Sequence, residues 1–182
     1  MSIKINKLKK IGILGGTFDP PHIGHVEISK YAIKKFKLSL LIWAITKRNP
    51  LKKSPLIKLK KRIMLSNKRV SKIKKIKVKS FDKLIKSSKT INLIRYINKK
   101  SDSKIFFLMG SDNLIKFHKW DKWKEIVGLC TIVVFPRNGY LKKTSTCKAI
   151  KTLGRKKILL MRSKKINISS SKIRKNYLKY KN

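Results

Sequence analysis

The residues most able to do chemistry form one short segment, which combines paired glycines with paired histidines: Gly15-Gly16-Thr17-Phe18-Asp19-Pro20-Pro21-His22-Ile23-Gly24-His25. An apolar run leads into this segment, and an amphipathic helical pattern leads out of it. Adjacent glycines let the backbone turn sharply and approach a ligand closely. Two imidazoles beside the start of a helix suit the binding of a nucleotide's phosphates.

Each part of this segment also has a simpler explanation. Two glycines after a strand can form an ordinary turn, and a histidine can be a structural residue. A histidine pair can also bind a metal ion, but no third ligand of a suitable type is evident in the sequence. Because the glycines, the hydroxyl of Thr17 and both histidines occur together, we favour hydrogen bonds from His22 and His25 to a phosphate group.

The apolar segments that lead to and from these residues alternate between strand and helix patterns. Strands are expected at 11–14, 38–45, 73–81, 105–109, 131–135 and 157–161, and helices at 23–36, 56–70, 90–98, 111–117, 120–128 and 169–180. Continuous apolar strands between helices predict an α/β protein whose parallel sheet is buried on both faces. The segments 47–55 and 137–146 are expected to be mobile loops.

Ligands of such sheets bind beyond the carboxyl ends of the strands. Four segments fall there, at 15–25, 46–52, 109–113 and 135–139, and the start of the last helix at 168–174 could complete the ring. Glycines and polar residues are concentrated in these segments, as expected for a binding site.

Composition limits the remaining interpretations. The 182 residues suit a single domain spanning 1–182, with 1–10 as a basic N-terminal extension. The net charge is +43, but 42 of the 50 basic residues are lysines spread over the whole chain. Specific nucleic-acid recognition favours arginine, so we attribute the charge to compositional bias. No apolar run is long enough to cross a membrane, and the first ten residues lack a signal peptide's apolar core, which predicts a cytoplasmic protein.

Residues 15–25 resemble the first motif of the nucleotidylyltransferase superfamily, whose core is His-x-Gly-His. The longer form resembles one family within it, the bacterial nicotinate-nucleotide adenylyltransferases. Further segments resemble that family's motifs in order: Trp43-Ala44-Ile45-Thr46, Asn49-Pro50-Leu51-Lys52, Arg62 with Met64-Leu65, Met109-Gly110-Ser111-Asp112-Asn113-Leu114 with Phe117, Trp120, Trp123 and Ile126, Arg137-Asn138-Gly139, and Ile168-Ser169-Ser170-Ser171-Lys172-Ile173-Arg174. The resemblance extends from about residue 11 to 178.

The resemblance implies a Rossmann-like three-layer fold with a central, mostly parallel sheet flanked by helices. It implies an enzyme that transfers AMP from ATP to nicotinic acid mononucleotide, yielding nicotinic acid adenine dinucleotide and pyrophosphate by direct in-line displacement. A Mg²⁺ ion held mainly by the ATP phosphates is expected. The expected partners are the two nucleotides, without a specific nucleic acid or a membrane, and the oligomeric state stays open.

The resemblance also assigns roles to single residues. His22 and His25 are the expected catalytic residues. The expected ATP-binding residues are Gly15, Gly16, Thr17, Phe18, His22, His25, Gly110, Asp112, Ile168, Ser169, Ser170 and Arg174. The expected mononucleotide-binding residues are Thr17, Lys52, Thr90, Asp112, Trp120 and Arg137, with the pyridine ring stacked on Trp120.

Several of these residues have structural alternatives. Ser169 and Asp112 could each be a helix N-cap, and Trp120 could belong to the core. The sequence departs from the family at Lys89, where an aromatic residue is common, and at Ser171, where threonine is common. Two other functions stay open: a related transferase that uses phosphopantetheine, FMN or nicotinamide mononucleotide, and a basic nucleic-acid-binding module.

Overall fold

A six-stranded parallel sheet forms the centre of the computed structural model, which describes residues 9–51, 53–154, 157–161, 170 and 173. The strands are β1 (Lys10–Gly16), β2 (Leu40–Ile45), β3 (Ile76–Lys79), β4 (Lys104–Gly110), β5 (Thr131–Phe135) and β6 (Ile158–Leu160). Their order is β3-β2-β1-β4-β5-β6, and all five neighbouring pairs are parallel. The chain reverses its direction of winding between β1 and β4, which is where such sheets open a crevice for ligands.

Helices connect the strands and cover both faces of the sheet. They are α1 (Ile23–Phe36), α2 (Leu59–Val70), α3 (Thr90–Lys100), α4 (Ser111–Ile115), α5 (Trp123–Leu129), α6 (Leu141–Ser145) and α7 (Lys148–Leu153), and a 3₁₀ turn spans Phe117–Lys119. Buried side chains of α1 and α2 pack on one face of the sheet, while those of α3, α4, α5 and α7 pack on the other.

Strand alternation explains the two cores. In β4, Phe107 packs on the α3 side, whereas Phe106 and Leu108 pack on the α1 side. Gly12 of β1 lies on the α1 side, where an added Cβ would be 2.6 Å from Leu38 Cδ1. The missing side chain of Gly12 therefore leaves room for the residue that leads into β2.

The predicted parallel α/β architecture is confirmed, with corrections at the ends of elements. The strand expected at 73–81 spans only Ile76–Lys79, because Ile76 N–H first closes a turn onto Ile73 O. The helix expected at 56–70 begins at Leu59, because the N–H groups of residues 56 and 57 bind a carboxylate instead. Met64, expected on the apolar face of this helix, is 58% exposed.

The segment after β5 is the least well predicted. Part of the expected loop at 137–146 forms α6, and α7 was not expected at all. Both helices are short and rich in lysine, so their apolar periodicity is weak. The helix expected at 120–128 begins at Trp123, and Trp120 has an extended backbone after the 3₁₀ turn.

Two predictions fall largely outside the described residues: the basic extension at 1–10, of which residues 1–8 are not described, and the last helix at 169–180. Among the residues that are described, no helix is long and apolar enough to cross a membrane. The single-domain organisation and the cytoplasmic location stay predictions.

Candidate active site

The carboxyl ends of β1, β4 and β5 surround a small cavity of about 120 Å³, which we call the histidine cavity. The loop after β1 supplies most of its wall, and the ends of β4 and β5 supply the remainder. The cavity is lined by Leu14, Gly15, Gly16, Thr17, Phe18, Asp19, His22, Gly24, His25, Ile28, Lys53, Pro55, Met109, Gly110, Asp112, Asn113, Phe135, Pro136, Arg137 and Ser170.

A second cavity of about 300 Å³ lies beside the first, and we call it the tryptophan cavity. Its wall is mostly apolar and comes from the ends of β1 and β2, from the start of α3 and from the turn around Trp120. It is lined by Gly15, Gly16, Thr17, Ala44, Ile45, Thr46, Arg48, Asn49, Pro50, Leu51, Phe81, Asp82, Ile85, Ser87, Ser88, Lys89, Thr90, Leu93, Phe107, Asn113, Lys119, Trp120 and Asp121.

The two cavities share one wall. Gly15, Gly16, Thr17 and Asn113 line both of them. An added Cβ at Gly15 would lie 3.1 Å from Phe107 Cζ, so a larger residue at this position of the shared wall would crowd Phe107. Two ligands in these cavities would therefore meet at the end of β1.

The imidazoles of His22 and His25 lie against each other, with 3.8 Å between ring centroids. His22 is only 4% exposed, and neither of its ring nitrogens has a hydrogen-bond partner among the described residues. An unpaired buried polar atom costs free energy, so this ring is prepared for a ligand that hydrogen bonds to it.

The tautomer of His25 follows from its contacts. The backbone N–H of His22 donates to His25 Nδ1 at 3.1 Å, so Nδ1 is the acceptor and Nε2 carries the hydrogen. Ser29 Oγ donates to the carbonyl of His25 at 2.6 Å and accepts from Trp43 Nε1 at 2.8 Å. The Phe18 ring packs on both His25 and Trp43, at 4.6 and 4.9 Å between ring centroids. His25 therefore presents a fixed Nε2–H donor.

Both imidazoles are neutral at neutral pH. Burial, followed by the positive charges of Arg137 and Arg69, lowers the pKa of His22 from 6.5 to about 4. Burial, followed by the neighbouring His22, Arg137 and Arg69, holds the pKa of His25 well below 6.5. The pair therefore acts through N–H donors and not through full positive charges.

A buried arginine organises the loops around both cavities. Arg62 of α2 is 2% exposed. Its Nη1 donates to the carbonyls of Thr17 and Thr46, its Nη2 to that of Lys47 at 3.0 Å, and its Nε to that of Ile57 at 2.8 Å. One planar guanidinium thus joins the loop after β1, the loop after β2 and the start of α2.

Two carboxylates flank this arginine and hold the same loops. Asp19 accepts hydrogen bonds from the N–H groups of Leu56 and Ile57, both at 2.9 Å. Asp82 Oδ2 accepts from Thr46 Oγ1 at 2.9 Å and from Lys47 N–H at 2.7 Å. Their negative charges oppose the effect of burial, which lowers the pKa of Arg62.

An ion pair closes the opposite side of the histidine cavity. Arg137 Nε lies 3.3 Å from Asp112 Oδ1, and Ser111 Oγ accepts the backbone N–H of Arg137 at 2.9 Å. A Cβ on Gly110 would lie 2.5 Å from Asp112 Oδ1 and 2.8 Å from Arg137 Nε. Only glycine at the end of β4 leaves space for this pair.

Comparisons with known proteins show which family this chain is similar to. The family model described as Cytidylyltransferase-like matches residues 13–176. A protein of Pelagibacter ubique named "Probable nicotinate-nucleotide adenylyltransferase" is 48% identical over 93% of this chain and 94% of its own. A protein of the same name from Agrobacterium fabrum is 38% identical over 74% of each chain.

The chain belongs to the nicotinate-nucleotide adenylyltransferase family. The resemblance stated from the sequence is therefore confirmed. The fold agrees with a solved structure of the Plasmodium falciparum nicotinic acid mononucleotide adenylyltransferase complexed with NaAD. That structure has a TM-score of 0.74 and 19% identity, and the match covers 92% of this chain and 83% of the other.

The structure brings most of the family's expected site residues to the two cavities. Those expected to bind ATP line the histidine cavity wherever they are described: Gly15, Gly16, Thr17, Phe18, His22, His25, Gly110, Asp112 and Ser170. Ser170 Oγ also donates to the carbonyl of Pro20 at 2.9 Å. Ile168, Ser169, Ser171, Arg174 and Lys52 lie outside the described residues.

The residues expected to bind the mononucleotide divide between the cavities. Thr90 and Trp120 line the tryptophan cavity, whereas Asp112 and Arg137 line the histidine cavity. Trp120 also packs edge-to-face on Phe117 and Phe107, at 5.3 and 6.0 Å between ring centroids. Trp120 can therefore pack against the core with one edge and still offer a ring face to a ligand in the cavity.

Several residues of the site had no predicted role: Arg62 and Asn113 were noted only as parts of motifs, and Lys53 and Asp82 were not singled out. A signal for Arg62 existed, since Arg62, Ser66 and Val70 are spaced four residues apart and form the buried face of α2. No comparable pattern marks Asp82, because its partners are 35 and 36 residues away.

Replacing Arg62 with lysine tests the role of the guanidinium. Arg62→Lys keeps a positive charge but cannot reach all four carbonyls, so we expect the free energy of unfolding to fall by about 2–4 kcal/mol in urea titrations. Arg69→Lys, on an exposed position of the same helix, is the matched control and should change stability by less than about 0.5 kcal/mol. Equal stability of the two variants would contradict the proposed role.

The lowered pKa of His22 predicts an effect of pH on stability. Below pH 6.5 the unfolded chain binds a proton at this position, whereas the folded protein does not until about pH 4. The free energy of unfolding should therefore fall as the pH decreases from about 6.5 towards 4. Urea titrations at several pH values should show a smaller fall for His22→Gln than for the unchanged protein, and equal falls would refute the assignment.

Proposed function

We propose that this protein transfers AMP from ATP to nicotinic acid mononucleotide, with release of pyrophosphate and nicotinic acid adenine dinucleotide. The observation that carries the proposal is the pair of unpartnered buried nitrogens of His22 in a cavity that shares a wall with a second, aromatic cavity. Membership in the family supports the same reaction and the same pair of substrates.

In this proposal the triphosphate of ATP occupies the histidine cavity. A phosphate oxygen of the mononucleotide attacks the α-phosphorus, and the bond from that phosphorus to the bridging oxygen of pyrophosphate breaks. The Nε2–H of His25, the imidazole of His22 and the guanidinium of Arg137 donate hydrogen bonds to the phosphate oxygens as charge moves onto pyrophosphate. The protein supplies position and charge stabilisation, and no covalent intermediate is required.

The glycines at the end of β1 determine where the two nucleotides meet. The pyridine ring of the mononucleotide lies in the tryptophan cavity, beside Trp120 and Thr90. Its phosphate reaches Gly15, Gly16 and Thr17, which line both cavities, and there it meets the attacked phosphorus. This arrangement explains why one loop serves both substrates.

We propose that the Mg²⁺ ion of the reaction is held by the phosphates of ATP and by water. The described part of the chain contains no cluster of histidine, cysteine or carboxylate side chains able to hold a metal ion. Both oxygens of Asp19 accept backbone N–H groups, and Asp112 pairs with Arg137. When bound, the ion neutralises charge on the triphosphate.

The reaction can be tested with His25→Asn. The Asn Oδ1 can still accept the N–H of His22, but the variant lacks the Nε2–H donor. We expect kcat for pyrophosphate release from ATP, Mg²⁺ and nicotinic acid mononucleotide to fall about 100-fold or more, as when a transition-state donor is removed. The thermal unfolding temperature, measured in parallel, separates a loss of catalysis from a loss of folded protein.

The unchanged protein is assayed in parallel with nicotinic acid mononucleotide and with nicotinamide mononucleotide. No pyrophosphate from either substrate would refute adenylyl transfer. A preference for the amide would assign the protein to a related transferase, and near-normal turnover by His25→Asn would make His25 a structural residue.

Gly110→Ala tests the ion pair at the end of β4. The added Cβ would displace Asp112 and Arg137, so we expect kcat/KM to fall at least about tenfold, which corresponds to one lost charge-assisted hydrogen bond. Gly128→Ala is the matched control, because nothing lies within 4 Å of a Cβ at that helical position, and it should keep full activity. Full activity of Gly110→Ala would show that the pair does not contribute.

A further inference from the structure

We propose that the ammonium group of Lys89 selects the acid form of the pyridine mononucleotide over its amide by binding the ring carboxylate. This inference rests on the proposed function and deepens it. The resemblance places an aromatic residue at this position, so the charge is a feature of this chain and not of the family pattern.

The position of Lys89 is defined on both sides. Lys89 immediately precedes α3, and its backbone N–H donates to Ser87 Oγ at 3.1 Å. Its Nζ lies 3.3 Å from Asp121 Oδ2. Asp121 follows Trp120 directly, and all of these residues line the tryptophan cavity. The ammonium group therefore lies in the same wall as the aromatic ring on which we place the pyridine.

The charges around this cavity favour an anion. Three cations line it, Arg48, Lys89 and Lys119, against two carboxylates. Oδ2 of Asp82 already accepts two hydrogen bonds from the loop after β2, from Thr46 and Lys47. Asp121 is then the carboxylate available to Lys89, and a second carboxylate entering the cavity would still meet an excess of positive charge.

The ion pair between Lys89 and Asp121 is weak enough to be shared. The two side chains are 59% and 42% exposed, and ion pairs of this exposure contribute little to stability. A substrate carboxylate can therefore accept a hydrogen bond from the Lys89 ammonium with little loss of free energy. Apolar residues such as Phe81, Leu93 and Phe107 line the same cavity, and a hydrogen bond from the ammonium to a substrate carboxylate is charge-assisted, which makes it stronger than one between neutral groups.

Carboxylate and amide ligands differ in what they gain from this lysine. The acid offers a negative oxygen, whereas the amide offers a neutral carbonyl and an NH₂ group that cannot accept from an ammonium. Removing the charge should therefore weaken the reaction of the acid much more than that of the amide, whose carbonyl is a neutral acceptor. The loss should appear mainly in KM, because the carboxylate is remote from the phosphorus that reacts.

The test compares kcat/KM for nicotinic acid mononucleotide and for nicotinamide mononucleotide in Lys89→Met, Lys89→Arg and Lys100→Met. Lys89→Met should lower kcat/KM for the acid about 10-fold to 100-fold and that for the amide less than about threefold. Lys89→Arg keeps the positive charge and should therefore keep most of the preference for the acid. Lys100→Met, at the opposite and exposed end of α3, is the matched control and should behave like the unchanged protein.

Several outcomes would overturn the inference. It fails if Lys89→Met keeps the full preference for the acid, or if the values for both substrates fall equally. It also fails if Lys119→Met, which changes another lysine of the same cavity, causes the same loss of preference, since a general positive field would then be responsible. Transfer to both substrates without preference by the unchanged protein would overturn the role of Lys89 alone, whereas no transfer to either would refute the proposed function itself.

Discussion

The hydrogen bonds of one buried guanidinium hold the loops of this site in place. Arg62 binds carbonyls at Thr17, Thr46, Lys47 and Ile57, which lie in the loop after β1 and at both ends of the loop between β2 and α2. A buried positive charge is stable only when its donors are satisfied, so these loops cannot separate without a cost of several kcal/mol. The geometry of both cavities depends on this constraint, because the loop after β1 lines both of them.

The histidine pair depends on the same frame. The backbone turn that Arg62 holds at Thr17 continues through Phe18 to the start of α1, where His22 N–H selects the tautomer of His25. Burial keeps both imidazoles neutral. Neutral N–H donors can bind phosphate oxygens without the strong ground-state attraction of full charges, which suits a reaction whose charge moves from one phosphate group to another.

The sequence predicts some parts of the fold and of the site and leaves others open. Apolar strands separated by helices indicated a parallel sheet, since parallel sheets are covered by helices on both faces and their strands are apolar throughout. The motifs from Gly15 to His25 and around Asp112 indicated which strand ends form the site. The helices α6 and α7 could not be predicted, because each has only five or six residues and is rich in lysine. Such short segments show too little apolar periodicity to indicate a helix.

By itself, the sequence determined the class of fold, the family and the residue types at the proposed phosphate site, because these follow from local patterns and motif spacing. Only the tertiary structure decided that the site has two cavities with one shared wall. It alone placed Asp82 beside Thr46, Lys89 beside Asp121, and Arg62 between the loops that follow β1 and β2. Such contacts join residues that are 16 or more positions apart in the sequence. Their distances depend on how the strands pair and how the helices pack, which no local pattern records.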